Sequence, residues 1–135
     1  MQKKSFSISW GNSSLKMLSS KALLLPQTNE LLICDIHLGK AEYFQQNGIP
    51  LTNNSDEQNL LSIKNIVKNN NPNKLIILGD LFHSKYSISE SLKSKVENLS
   101  ESLNIKIELI VGNHDIGCKV KNISFLEYKL SLIHI

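Results

Sequence analysis

A chain of 135 residues supports one domain with a real core and is too short for two. Hydrophobic residues make up 41% and charged residues 20%, ordinary for a soluble globular protein, and a net charge of +3 neither demands nor excludes a nucleic-acid partner. No apolar run approaches the roughly 20 residues of a membrane span, and the start MQKKSFSISW lacks a signal-peptide core, so a cytoplasmic location is expected.

The first third reads as β structure. Ser5 to Trp10 partly alternates, Gly11-Asn12 is a turn, and Ser14 to Leu18 and Lys21 to Leu25 are short strand candidates. After the turn Pro26-Gln27-Thr28-Asn29, Glu30 to Cys34 forms an apolar run that ends at Asp35. Lys40 to Gln46 is expected as a short helix stopping near Asn47-Gly48. Ser55-Asp56-Glu57-Gln58 has a capping-box pattern and opens a longer helix. Leu60, Ile63, Ile66 and Val67 form its apolar face, and Lys64 and Lys68 point away. Pro72, after three asparagines, stops it.

Leu75 to Leu78 is a continuous apolar run ending at Gly79-Asp80, which predicts a strand covered on both faces. Ser87 to Glu90 caps a third helix carrying Leu92, Val96, Leu99 and Leu103 at helical spacing. Ile105 to Val111 is the next strand, and Ile123 to Leu130 a weaker candidate. A strand-rich start followed by strand, helix, strand, helix, strand predicts an α/β fold with parallel strands in its sheet.

Three polar motifs each follow the C-terminal end of a predicted strand: Asp35-Ile36-His37, Gly79-Asp80 and Gly112-Asn113-His114-Asp115. In open α/β sheets ligands bind in the crevice beyond those ends. Carboxylates, imidazole and an amide carbonyl make a mixed O/N donor set suited to Mn²⁺, Fe or Zn²⁺. Asp35 and His37 are two apart, so an extended strand end would turn both to one side. A carboxylate such as Asp80 can bridge two cations, and a cation pair about 3.5–4 Å apart can clamp a phosphoryl group.

With these residues in place, the chain resembles the calcineurin-like metallophosphoesterases. The run Cys34 to Ala41, then Phe44 and Gly48-Ile49-Pro50, then Gly79 to Ser84, is similar to the bacterial ligase-associated DNA damage response endonucleases. The resemblance extends from about Trp10 to Asp115. It implies the first portion of a four-layer αββα sandwich and a metal-dependent phosphodiester hydrolase with two divalent ions, Mn²⁺ first. By it, Asp35 and His37 bind the first metal, Asp80 bridges, and Asn113 binds the second. His114 acts on the phosphoryl oxygens or leaving group, Asp115 orients His114, and a metal-bridging hydroxide is the nucleophile. DNA is the implied substrate and DNA ligase-associated repair proteins the implied partners. A small-nucleotide phosphodiesterase or phosphatase is the alternative enzyme, and an inactive fragment the alternative outside enzymes.

The remaining candidates are expected to be structural. His83 is weighed as a supporting residue more than a direct one. Lys40 is expected in solvent, Tyr43 and Phe44 in core packing, and Cys34 in the core on the side away from the ligands. Cys34 and Cys118 are expected as reduced thiols.

The family's later Gly-His and Gly-His-x-His signatures are absent, so the chain is expected to be a single, incomplete domain over residues 1–135. Residues 130–135 resemble a translated sequencing adapter, and His134 among them is assigned no role. The chain is expected to bind metal weakly, to hydrolyse little and to leave apolar faces uncovered.

Overall fold

The computed structural model describes residues 4–50, 55–116 and 118, and the backbone of 126–130. Seven strands form one sheet in chain order. β1 (Ser5–Trp10), β2 (Ser13–Leu18), β3 (Ala22–Leu25) and β4 (Glu30–Cys34) are an antiparallel meander. β5 (Lys74–Leu78), β6 (Lys106–Val111) and β7 (Leu126–Leu130) continue parallel to β4. Helices α1 (Lys40–Gln46) and α2 (Ser55–Asn70) link β4 to β5; a 3₁₀ turn (Lys85–Ser87) and α3 (Glu90–Leu103) link β5 to β6. Residues 123–125 and 131–135 lie outside the described residues, and Leu130 pairs with Val111 in β7.

The boundaries follow local chemistry. Ser89 caps α3 by accepting a hydrogen bond from the Leu92 amide, and Asn104 closes it at φ 49°. Asn71 at φ 46° and Pro72 end α2. Asp56, read from the sequence only as part of a capping box, has a second task. It is buried, and both carboxylate oxygens accept from the Gly39 amide at 3.1 Å. That ties the start of α1 to the first turn of α2.

α2 and α3 pack against each other on one face of the sheet. There Ile63, Ile66, Val67, Leu92 and Val96 join Leu31, Ile33, Leu75, Ile77, Ile107 and Leu109 in one buried cluster. The expectation that β5 is covered on both faces is corrected. Leu75 and Ile77 are buried, but Leu78 on the opposite face is 42% exposed. The cause is that both crossovers lie on the same side. Phe6, Met17, Leu23, Leu32 and Ile76 stand in register across that other face. Phe6 and Met17 are exposed, so this face is apolar and open. The described residues supply one sheet and one helical layer of the implied sandwich. None of their helices is long and apolar enough to cross a membrane.

Candidate metal centre

The three motifs meet because the loops after β4 and β5 keep running side by side beyond the strands. The Asp35 amide donates to the Gly79 carbonyl at 3.4 Å, His37 to Asp80 at 2.9 Å, and Leu38 to Leu81 at 2.8 Å. Leu38 and Phe82 pair as a parallel bridge, and both are fully buried. This short ladder sets His37 beside Asp80.

The backbone here is not extended. Asp35, His37 and Asp80 have φ of 53°, 51° and 52°. The left-handed region costs little for Asp and moderately for His, and it gathers at functional loops. Asp35 and His37 are therefore not on an extended strand end, and a pair of left-handed residues brings both side chains to one cluster. One ligand atom each from Asp35, His37 and Asp80 lies within 4.8 Å of the others. Donors on opposite sides of one cation at about 2.1 Å stand about 4.2 Å apart, so this spacing is near that of a shared ion.

The third motif joins through Asp80. Its Oδ1 accepts from the His114 amide at 2.8 Å. Asn113, beside it, is exposed in the turn after β6. Gly112 is not left-handed; its role is to let the β5 and β6 loops approach. A Cβ there would press on Asp80 Oδ1 and sit 2.6 Å from the Asp80 nitrogen.

Asp115 does something other than orient His114. It is 1% exposed and accepts from the amides of Asp80 at 2.8 Å, Gly112 at 2.9 Å and Phe82 at 3.1 Å. It clamps the β5 and β6 loops together. Burial pushes its carboxyl above the usual range, against the lowering by those amides. The His114 ring is held instead by the His83 carbonyl, 2.7 Å from Nδ1. A carbonyl only accepts, so Nδ1 carries the proton of this bond and Nε2 is the acceptor nitrogen of the neutral ring.

His83 belongs to the cluster more directly than the sequence suggested. His37, His83 and His114 also bring ligand atoms within 4.8 Å. The His83 and His114 rings stack at 5.3 Å. Tyr43 and Phe44, expected in the core, are half-buried and pack on the His83 ring at 5.0 and 5.7 Å. The available signal was the His three residues after Asp80. The Nδ1 atoms of His37 and His83 are buried without a hydrogen-bond partner. An orphaned imidazole nitrogen beside two carboxylates is what a divalent cation would satisfy, so the donor set fits one.

Burial lowers the pKa of His83, and His114, His37 and Lys40 add to the effect. The native state thus holds this proton less tightly than a free imidazole at 6.5, and the unfolded chain holds more. Stability therefore falls as pH drops below about 6.5 and levels off beneath the depressed native value. The urea midpoint should fall further between about pH 7.5 and about pH 5.5 in the unsubstituted chain than in His83→Gln. Equal losses would show that His83 carries none of the dependence.

Cys34 is exposed, not in the core, because its side chain lies on the open face of the sheet. Its thiol is pushed up by burial and by the Asp35 carboxylate. Cys118 is buried and pushed up to about 11, again by burial first. Both are free thiols. Lys40 is exposed, as expected.

The parallel strands β4, β5 and β6 of a mixed sheet carry carboxylates, imidazoles and an amide beyond their C-terminal ends, the layout of an α/β metal-binding protein. The calcineurin-like phosphoesterase family matches residues 31–134, most of the chain, and the chain belongs to that family. Among solved structures it is similar to the nuclease MPE of Pseudomonas putida, with a TM-score of 0.79 and 26% sequence identity. The match covers 93% of this chain and 60% of that one, so the chain spans less than two thirds of the nuclease. No curated protein matches the chain.

Proposed function

We propose that the protein is a metal-dependent phosphodiester hydrolase acting on DNA, in the setting of DNA repair. The observation that carries this reading is the convergence of Asp35, His37 and Asp80 within shared-ligand reach. Family membership supports phosphoester hydrolysis, and the nuclease neighbour favours a nucleic acid over a small nucleotide.

Asp35 and His37 would hold the first divalent cation, Asp80 would bridge to the second, and Asn113 would complete the second from its turn. Mn²⁺ is the proposed ion, with Fe or Zn²⁺ as alternatives. Bound cations supply Lewis acidity at a phosphoryl oxygen and activate water. The chain's own groups do the rest. His114, with Nδ1 tied to the His83 carbonyl, presents Nε2 to a phosphoryl oxygen or to the leaving oxygen. His83 fixes that ring from behind, and Tyr43 and Phe44 fix His83. Asp115 holds the loops bearing Asp80 and His114 at one spacing. Ligase-associated repair proteins remain the proposed partners, and the cytoplasm the proposed location.

The test is Mn²⁺-dependent release of p-nitrophenolate from bis-p-nitrophenyl phosphate. Turnover is expected to require the cation. It should vanish with EDTA and return with excess Mn²⁺. Release indifferent to chelator would overturn the reading.

A further inference from the structure

Beyond the metal centre, the helix-covered side of the sheet carries a polar furrow. Two hollows of about 270 and 220 Å³ share Ser20, Ser62 and Ile66 in their walls, so they adjoin. The first opens at Asp35 and is bounded by Lys21 and Asn59. The second runs on past Asn65 and Asn69 to Lys4. The furrow therefore starts at a candidate metal ligand and leads away between α2 and the β2–β3 hairpin.

Its chemistry has one sign. Asp35, at its mouth, is its sole carboxylate among the described residues, and Lys21 and Lys4 stand exposed along it. Neither lysine makes an ion pair among the described residues. Both are placed by the backbone. The Ser19 amide donates to the Lys4 carbonyl, and the Lys21 amide to the Leu18 carbonyl, each at 3.1 Å. The α2 wall presents Asn59, Ser62, Asn65 and Asn69 as a stripe of amides and a hydroxyl. From Asn59 to Asn69 the helix rises about 15 Å, the rise of roughly four stacked nucleotides. Amides and hydroxyls suit phosphate, sugar and base edges, and lysines suit phosphates.

We propose that this furrow is the track for a single nucleic-acid strand flanking the scissile phosphodiester, with Lys21 and Lys4 as successive phosphate contacts. The proposal rests on the hydrolase reading and names how its polymeric substrate is held. Among the described residues no aromatic ring lines the furrow, so the grip is on the backbone and indifferent to sequence.

The test is fluorescence anisotropy with a fluorescein-labelled dT₁₂ oligonucleotide in EDTA. It reads binding without cation or turnover, so failure of the hydrolase reading registers separately, in the phenolate assay. The Lys4→Glu/Lys21→Glu variant should bind at least about tenfold more weakly at low salt. Its log–log salt slope should be shallower by about 1.4, the value for two strand phosphates. Lys93→Glu, on exposed α3, should bind as the unsubstituted chain does. If circular dichroism shows that the charge reversal disturbs folding, Lys4→Gln/Lys21→Gln carries the same slope prediction. Unchanged affinity in the double variants, an equal loss in Lys93→Glu, or a preference for blunt duplex would overturn the strand track.

Discussion

Asp80→Asn should reduce Mn²⁺-dependent diester hydrolysis by at least about 10²-fold, the scale of losing one preorganised electrostatic partner. Three features of Asp80 concentrate the effect there. Its side chain is in the carboxylate and imidazole group with Asp35 and His37. Its Oδ1 receives the His114 amide, and its own amide is held by Asp115. Asparagine keeps the size and can still accept from His114 through its carbonyl, so the fold should persist. What it removes is the charge and one of two equivalent oxygens. Titration of Mn²⁺, followed by the loss of its free-ion EPR signal, should show weaker binding with the melting temperature of the metal-free chain little changed. Full turnover in Asp80→Asn would remove the carboxylate from any bridging role.

Gly112→Ala should cost stability and the site together. The added methyl would press on Asp80 Oδ1 and lie 2.6 Å from the Asp80 nitrogen and 2.9 Å from the Gly79 Cα. The last two are backbone atoms, and Oδ1 is itself held by the His114 amide. Gly79 is itself at φ 77° and cannot easily yield. Overpacking of this kind costs about 1–3 kcal/mol, and at about 4 °C per kcal/mol the melting point should fall by roughly 4–12 °C. The separation of the loops should also break the Asp115 bridge between the Gly112 and Asp80 amides, and turnover should fall with it. Gly11→Ala is the control for the loss of a glycine as such, since nothing lies within 4 Å of a Cβ there, although its φ of 57° carries some strain. If Gly112→Ala melts no lower than Gly11→Ala, the close approach is not what holds the loops.

Much of the architecture was legible because it is local. Apolar runs bounded by Gly, Pro and Asn marked the strands, and the run Ser87 to Glu90 announced α3, whose capping bond is made by Ser89 within four residues. The motifs at strand ends were legible for the same reason, since each is a few consecutive residues. The open face was harder. Leu75 to Leu78 reads as fully buried until one knows that both crossovers lie on one side. Cys34 shares that fate: alternation set its side chain opposite Ile33, and only the missing cover made it exposed.

The roles of Asp115, His83 and Asp56 depended on through-space partners. Asp115 could not be seen to bind three amides, two of them on another loop and more than thirty residues away. His83 entered the cluster because its carbonyl holds the His114 ring and because α1 brings Tyr43 and Phe44 against it. Asp56 reaches across from α2 to the Gly39 amide. By itself, then, the sequence determined the candidate groups and the strand ends that bear them, since residue type and hydrophobic period are properties of short segments. Only the tertiary structure decided which of those groups touch, because the pairing of the β4 and β5 loops and the left-handed turns at Asp35, His37 and Asp80 arise from hydrogen bonds between distant segments.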